Sequence, residues 1–318
     1  MTNTEKKILI NLEQDILNQY KTDIKNIPII FIIASPRTGS TLFYQLMIRL
    51  FNLSYFSNFT DSILKDTPIV GNFIEKNLLN LTMDNISLES HYGETKTFHE
   101  PSEATNVLKN WFEWSHPTEI KGKNIKDTMQ SHFLDTVSSI YNMTNKPLIT
   151  KNAWNGYRIQ KLSEIFPNSY FIWLRRDIIN SSHSDLIARR RKGDPQSTWS
   201  SATPANYKDI QKLHYAHQVV EAQYIYNTKV KQALQDYVPH NHFCEIWYEE
   251  LENNKEKLFK NLLSDINNSL EIELNINHEE LKKLNLECAK PKNHDDDYYI
   301  IKEYATNKYP DFIKKDTK

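Results

Sequence analysis

Short continuous apolar runs alternate along the chain with longer stretches in which apolar residues recur at helical spacing. The runs at 28–34, 148–151, 169–177 and 242–247 predict strands. The first has no polar alternation, which is typical of a strand covered on both faces in a parallel sheet. The helical pattern covers 40–52, 104–114, 125–142, 158–165, 178–192 and 205–235. We therefore expect an α/β fold with a doubly wound parallel sheet, whose ligands bind beyond the carboxyl ends of the strands.

The N-terminal stretch predicts an amphipathic helix, because Ile8, Leu12, Ile16 and Tyr20 recur at helical spacing. We expect this helix, within residues 1–26, to pack on the sheet of a single domain formed by residues 27–318. The 318 residues include only six glycines, and we find no internal repeat and no long low-complexity linker. Nothing in the pattern therefore marks a further domain boundary.

Composition limits the classes of molecule that this protein is expected to bind. The 39 basic and 40 acidic side chains give a net charge of −1, which gives no reason to expect binding to nucleic acid or to an anionic membrane. No apolar run approaches the roughly 18–20 residues of a membrane helix, and the N-terminal charges do not fit a signal peptide. We expect a cytoplasmic monomer or homodimer that acts on a small molecule. Cys244 and Cys288 lack metal-ligand spacing.

The polar turn SPRTGST, which begins at Ser35, separates the first apolar run from the first helix after it. Such a turn directs backbone N–H groups and the positive end of the helix dipole at one point. Gly39 permits close approach of an anion, Ser40 and Thr41 carry donor hydroxyls, and Arg37 supplies a guanidinium that matches phosphate. We interpret the turn as a phosphate site. The alternative, in which Ser35 and Ser40 merely cap the helix, leaves Arg37 unexplained.

The turn is not a Walker A loop. That motif, GxxxxGK[ST], needs glycine at position 34 and lysine at position 40, where this chain has Ala34 and Ser40. The lysine that bridges the β- and γ-phosphates is therefore missing, and a 5′-phosphate fits the turn better than Mg-ATP. A nucleotide kinase and a catalytically silent nucleotide-binding scaffold remain as alternative functions.

A second basic strand end lies downstream, in FIWLRRDIINSSHSDLIARRRK. Arg175, Arg176 and Asp177 end the predicted strand, and Ser184 follows in the first turns of the next helix. Ligands of doubly wound sheets bind at the carboxyl ends of strands. Arg176 with Ser184 is therefore a second candidate anion site, and two such sites predict a nucleotide with phosphates on both sides of its ribose.

Four motifs in matching order resemble those of sulfotransferases, over roughly residues 28–255. SPRTGSTL resembles the 5′-phosphosulfate loop of that family, and WLRRDIINSSHS resembles its 3′-phosphate motif. LITKNAWNGYRIQKLSEIFPNSYFIWLRRD is similar to the bacterial-type branch, and FCEIWYEELENN resembles the strand whose tyrosine lies against adenine, here Tyr248. The resemblance implies a P-loop-like sulfotransferase fold. It also implies that 3′-phosphoadenosine 5′-phosphosulfate (PAPS) is the co-substrate and that its sulfuryl group passes to a hydroxyl or amine of a metabolite or natural product.

The resemblance further implies roles for individual residues. Arg37 would stabilise the leaving 5′-phosphate, and Lys151, at a predicted strand end, would hold the sulfuryl group. In-line transfer of this kind is similar to phosphoryl transfer but without a metal, so no metal is expected. The residues that would bind PAPS are Arg37, Thr38, Gly39, Ser40 and Thr41 in the loop, Arg176 and Ser184 at the 3′-phosphate, and Tyr248 at the adenine.

The general base is left open by the resemblance. Many cytosolic relatives have a histidine two residues after the equivalent of Lys151, where this chain has Ala153. The bacterial-type pattern often has a histidine at the position of Asn155. Neither residue present here can accept a proton at neutral pH, so we expect the base to come from another segment.

The segment KTFHEPSEATNVLKNWFEW resembles the acidic segment from which other branches take a glutamate base. His99, Glu100 and Glu103 are the candidate bases, with Asp61 as an outlying alternative. We favour His99, because a histidine ordinarily titrates near neutral pH. The alternative for Glu103 is that it only favours a helix N-terminus.

Two further groups of residues have open roles. The aromatic residues either line an acceptor pocket or fill the core; they are Trp111, Phe112, Trp114 and Trp199. The C-terminal segment ECAKPKNHDDDYY either closes over the 3′-phosphate, as a late basic segment does in relatives, or forms a charged surface loop; its cations are Lys290, Lys292 and His294.

Overall fold

The computed structural model describes residues 2–21, 26–79, 86–89, 95–199, 201–286 and 294–314 of the chain. The strands are β1 (Ile29–Ala34), β2 (Leu148–Lys151), β3 (Ser169–Arg175) and β4 (Phe243–Trp247). The helices are α1 (Asn3–Tyr20), α2 (Ser40–Phe51), α3 (Asn58–Ile63), α4 (Pro68–Asn77), α5 (Thr105–Trp111), α6 (Met129–Thr144), α7 (Ile159–Ile165), α8 (Ile178–Lys192), α9 (Tyr207–Ile210), α10 (Tyr215–Tyr237), α11 (Glu250–Asn253), α12 (Lys255–Leu270), α13 (His278–Lys283) and α14 (Asp296–Lys308). The four predicted strands are confirmed.

All strand pairs are parallel, and the strand order is β2-β1-β3-β4. In this register Ile32 of β1 lies opposite Lys151 at the end of β2, and Arg175 of β3 lies opposite Trp247 of β4. The strands therefore end at one shared edge, onto which the loop after Ala34 also opens. The predicted α/β fold with a parallel sheet flanked by helices is confirmed, and the edge where its ligands should bind carries the basic residues.

The sheet is covered on both faces because alternate residues of β1 point into two different cores. Ile32 belongs to a core that includes Phe43 of α2 and Phe259 of α12. Phe31, its neighbour, belongs to the core on the opposite face, together with Phe133 of α6. This two-sided burial accounts for the unbroken apolar run, since neither face of β1 meets water.

Helix α1 packs on α4 and α6 rather than on the sheet, so that part of the prediction is wrong. Ile8 is 60% and Leu12 is 38% exposed, whereas Ile16 and Leu17 are buried. The buried face also includes Glu13, whose carboxylate accepts hydrogen bonds from the first amides of α4. The buried face of α1 therefore includes an acid and differs from the face that hydrophobic spacing alone indicates.

The long helix predicted at 205–235 is divided into α9 and α10 by a turn. The side chain of Gln218, fully buried in α10, donates hydrogen bonds to the carbonyls of Gln211 and Leu213 at 3.3 and 3.0 Å. Those carbonyls lie in the turn, so a side chain from α10 takes over bonds that an unbroken helix would make internally.

Within the described ranges, no helix combines the length and the apolar character that crossing a bilayer requires.

Candidate active site

The loop between β1 and α2 leaves the amino end of α2 without a side-chain cap. Gly39 precedes the helix in a left-handed conformation, with φ of 84°, and no side chain caps the amides that follow. The hydroxyl of Thr38 instead donates to the carbonyl of Ser35 at 2.6 Å. The structure therefore does not use Ser35 or Ser40 as helix caps. Uncapped first-turn amides at a helix start attract an anion, as the phosphate interpretation requires.

Gly39 is also required by its contact with Tyr248. A Cβ atom at position 39 would lie 2.2 Å from Cε2 of the tyrosine ring. The backbone N–H of Tyr248 donates to the carbonyl of Arg175 at 2.7 Å, which fixes the residue directly after β4. The ring thus lies against the loop between β1 and α2, and its predicted contact with adenine stays a prediction.

The two predicted anion sites contact each other directly. Nη1 of Arg176 donates to the carbonyl of Arg37 at 2.9 Å, and Nε of Arg37 donates to Oγ of Ser184 at 3.3 Å. The guanidinium of Arg176 also lies 5.3 Å from the centroid of the Tyr248 ring. Residues from the loop, from the end of β3 and from α8 therefore form one basic cluster.

The start of α8 is capped, in contrast to that of α2. The Asp177 side chain accepts hydrogen bonds from the amides of Ile179 and Asn180, both at 3.0 Å. Glu249 in turn accepts from the amide of Asp177 at 3.0 Å. Burial raises the pKa of both carboxyls. The amino end of α8 is thus neutralised by its own acid, and an anion at this strand end would be bound by side chains.

Lys151 ends β2 and lies beside the first turn of α2. Its Nζ forms an ion pair with Glu103 and donates to Oγ1 of Thr41 at 3.2 Å. The lysine side chain is 7% exposed and the glutamate side chain 42%, so the cation is buried and the carboxylate reaches solvent. A cation beside an anion cradle, paired with an accessible carboxylate, is suited to group transfer with removal of a proton.

Asn152 holds this pair in place, although none of the sequence motifs includes it as a site residue. Its Nδ2 donates to the carbonyl of Glu103 at 3.0 Å and to Oγ1 of Thr105 at 3.3 Å. Its Oδ1 accepts from the amide of Trp154 at 2.9 Å. The residue joins the end of β2 to the start of α5. Its position directly after a predicted strand end was the one signal available in the sequence.

The other candidate bases have different surroundings. Glu100 is buried, and its two carboxylate oxygens accept from Nε2 of Gln45 at 3.1 Å and from the amide of Ser87 at 2.6 Å. His99 is half-buried, with its ring 3.3 Å from Oγ1 of Thr97.

Asp61 accepts from the amides of Asn106 and Val107 at 2.8 and 3.0 Å, which are the first amides of α5. Its carboxylate therefore serves as a helix cap. Of the four acids and bases weighed from the sequence, Glu103 is the one that the structure pairs with Lys151.

The aromatic residues after Glu103 surround a buried arginine. The guanidinium of Arg158 lies 4.1 Å from the ring of Phe112 and 5.6 Å from that of Trp154, and burial lowers its pKa to about 9. It donates to Oδ1 of Asn155 at 3.1 Å. Trp111 and Phe112 are fully buried, so for these two the core-filling alternative is confirmed. Asn155, at the position weighed for a histidine base, is therefore a buried partner of an arginine.

The predicted C-terminal cations lie mostly outside the described residues. Lys290 and Lys292 belong to the part that is not described, and the ring of His294 stacks on Tyr298 at 4.1 Å. Among the described residues, no three histidine, cysteine, aspartate or glutamate side chains converge as a metal site would require.

A hollow of about 520 Å³ lies away from this site. It is lined by Pro28, Asn168 and His242, the residues that come just before β1, β3 and β4. It therefore opens at the amino edge of the sheet, opposite the loop between β1 and α2, and we assign it no part in the chemistry.

A parallel sheet flanked by helices, with an uncapped loop after its first strand and a basic end on the third, defines an α/β protein with a P-loop-like fold. A model described as "Sulfotransferase family" matches residues 28–271, more than half of the chain. The chain therefore belongs to the sulfotransferase family, as the motifs predicted. No curated protein matches it by sequence.

Solved structures share the fold at low identity. The sulfotransferase STF9 from Mycobacterium avium is 12% identical, with a TM-score of 0.55 over 94% of this chain and 80% of that chain. The sulfotransferase STF1 from Mycobacterium tuberculosis H37Rv is 11% identical, with a TM-score of 0.51 over 96% of this chain and 86% of that chain. At these identities the likeness concerns the fold alone.

Proposed function

We propose that this protein is an enzyme that transfers the sulfuryl group of PAPS to a hydroxyl or amine of a small-molecule acceptor. The observation that carries the proposal is the convergence, at one edge of the sheet, of the uncapped loop before α2, of Lys151, and of the cluster of Arg37, Arg176 and Ser184. Two anion sites that touch each other suit a nucleotide with phosphates on both sides of one ribose.

Each group of residues has a distinct part in binding. The first amides of α2 and the guanidinium of Arg37 bind the 5′-phosphosulfate, because a helix start and a bidentate cation both favour such an anion. Arg176 and Ser184 bind the 3′-phosphate. Tyr248 lies between the loop and Arg176, where its ring can contact the adenine. Gly39 leaves the space that a close backbone approach by phosphate requires.

Lys151 and Glu103 carry out the chemistry in this proposal. The bond from sulfur to the phosphate oxygen breaks while a bond from sulfur to the acceptor oxygen or nitrogen forms. Lys151 and Arg37 stabilise the charge that develops on the sulfuryl and leaving oxygens. Glu103 accepts the proton of the acceptor. The sequence alone favoured His99 as the general base. The ion pair with Lys151 supports Glu103 instead, because the base must lie beside the group being transferred.

We propose that the reaction needs no metal, because Arg37, Arg176 and Lys151 supply the positive charge that Mg²⁺ provides in phosphoryl transfer.

We also propose that the protein acts in the cytoplasm. Asn180 belongs to an NSS sequon inside α8, one turn before Ser184, and a glycan there would obstruct the 3′-phosphate site.

The test is transfer of ³⁵S from labelled PAPS to a panel of hydroxyl- and amine-bearing metabolites. We expect labelled product with at least one acceptor class, undiminished by EDTA. Parallel reactions with γ-labelled ATP and Mg²⁺ should give none. Phosphorylated product, or sulfuryl transfer abolished by EDTA and restored by Mg²⁺, would contradict the mechanism. Tight nucleotide binding without transfer to any acceptor would favour the silent scaffold.

A further inference from the structure

The phosphate loop is held by a residue that the motif assigns to the other phosphate. Arg37 has a left-handed backbone, with φ of 69°. Its carbonyl is the group to which Nη1 of Arg176 donates at 2.9 Å. Residues with a Cβ atom disfavour this conformation, because Cβ approaches the carbonyl oxygen that follows. Such strain persists only where the surroundings maintain it.

The bond fixes one particular peptide plane. The carbonyl of Arg37 and the N–H of Thr38 belong to the same planar trans peptide and point in opposite directions. Holding the carbonyl toward Arg176 therefore also sets the direction of the Thr38 N–H, which is one of the amides that line the loop.

The residues on either side of Arg37 are held by other contacts. Nε2 of Gln223 donates to the carbonyl of Pro36 at 2.8 Å, and the Thr38 hydroxyl donates to that of Ser35 at 2.6 Å. These bonds do not act on the carbonyl of Arg37. The bond from Arg176 therefore makes a contribution that its neighbours do not supply.

We propose that Arg176 is a positioning residue for the 5′-phosphosulfate loop as well as a ligand of the 3′-phosphate, so that the two phosphate sites form one coupled unit. The assignment of the phosphates rests on the proposed function. A consequence separates this proposal from a role at the 3′-phosphate alone: removal of Arg176 weakens binding of a nucleotide that has no 3′-phosphate.

The first experiment is hydrogen exchange of the ligand-free protein, followed over the loop at residues 35–41. Arg176→Met keeps an unbranched side chain as far as the position of Nε but removes the donors, and we expect exchange of the loop to become about 10-fold faster. Arg176→Lys keeps the charge on a single donor nitrogen and should lie between Met and the wild type. Lys192→Met, at the exposed end of α8, is the matched control for the lost charge and should leave the loop unchanged.

The second experiment is calorimetric titration of the same proteins with AMP, which carries only a 5′-phosphate. We expect Arg176→Met to weaken AMP binding about 10-fold, with Arg176→Lys intermediate and Lys192→Met unchanged. If Arg176→Met is not folded, Arg176→Gln replaces it and is judged by the same criterion. Glutamine is suitable because its side-chain amide ends two bonds short of Nη1.

The outcomes separate this inference from the proposed function. Loop exchange that stays within about 2-fold of the wild type in Arg176→Met would overturn the coupling, even if 3′-phosphoadenosine 5′-phosphate still binds more tightly than AMP. The exchange measurement needs no nucleotide. It therefore decides the proposal even if the wild type shows no preference for the 3′-phosphate and the proposed function fails.

Discussion

At the scale of single residues, the proposed reaction depends on the carboxylate beside Lys151. Glu103 precedes α5, far along the chain from Lys151, and the structure joins them in an ion pair that Asn152 supports. By its resemblance to the family, the sequence limited the candidate general bases to a short segment. It could not choose within that segment, because neighbouring residues on an irregular loop point in different directions that only the packing of the loop decides.

We expect Glu103→Gln to lower kcat by about 10²–10⁴, because the amide cannot accept the acceptor's proton. The affinity for 3′-phosphoadenosine 5′-phosphate should stay within about 2-fold, since the base contacts the acceptor rather than the phosphates. Steady-state kinetics and calorimetry measure the two quantities.

His99→Ala is the comparison for this prediction and should retain near-wild-type turnover. Glu164→Gln is the control for the substitution itself, because it removes one acid of an exposed ion pair with Lys161 in α7. Loss of turnover in His99→Ala with full turnover in Glu103→Gln would make His99 the base.

At the scale of secondary-structure elements, the junction of β1 and α2 is the part most completely specified by sequence. The apolar run, the glycine at the turn and the helical spacing after it predicted the strand, the loop and the helix together. Other element-level features were hidden. The side chain of Gln218 bonds to the carbonyls of a turn where spacing alone would continue the helix, and Arg158 is surrounded by rings from separate segments. Both depend on contacts distant in sequence.

Gly39→Ala should lower the affinity for 3′-phosphoadenosine 5′-phosphate by at least about 50-fold. The added Cβ would lie 2.2 Å from the ring of Tyr248, at a φ of +84°, so the loop or the ring must move. Asn52→Ala is the control, because Asn52 ends the same helix in the same left-handed region. That variant should lose stability but keep its affinity. An unchanged affinity in Gly39→Ala would show that the loop is not the phosphate site.

The contact between α1 and α4 should make stability depend on pH. Burial raises the pKa of Glu13 from 4.5 to about 7, against the lowering effect of the amides of Val70 and Ile69. The folded state then binds more protons than the unfolded state between these values. This residue's contribution to stability therefore falls as pH rises from about 4.5 to 7, by up to about 3 kcal/mol.

Glu13→Gln removes this dependence. Glutamine loses one accepted hydrogen bond at every pH, so the readout is the difference in unfolding free energy between variant and wild type, measured by urea titration at pH 5 and pH 8. We expect that difference to move in favour of the variant at pH 8. Asp15→Asn, exposed on the same helix, should show no such change. A difference that is constant with pH would contradict the assignment.

At the scale of the whole molecule, the parallel sheet brings together residues that are far apart in the chain. Its four strands end at one edge, and this arrangement places the loop after β1 close to Lys151, Arg176 and Tyr248. The strand pattern was therefore enough to predict that these residues lie at one edge of the sheet. The coupling between Arg176 and Arg37, and the partner of Lys151, arise from side-chain contacts across the edge, which no local pattern in the sequence encodes.

The most direct test of the central claim is calorimetric titration of the wild type with 3′-phosphoadenosine 5′-phosphate, with AMP, and with Mg-ATP. A charge-assisted contact of about 1.5–3 kcal/mol from Arg176 and Ser184 predicts that the 3′-phosphate improves affinity over AMP by about 10- to 150-fold. Mg-ATP should bind no better than AMP. Equal affinities for the first two nucleotides, or tightest binding of Mg-ATP, would contradict a site built for two phosphates on one ribose.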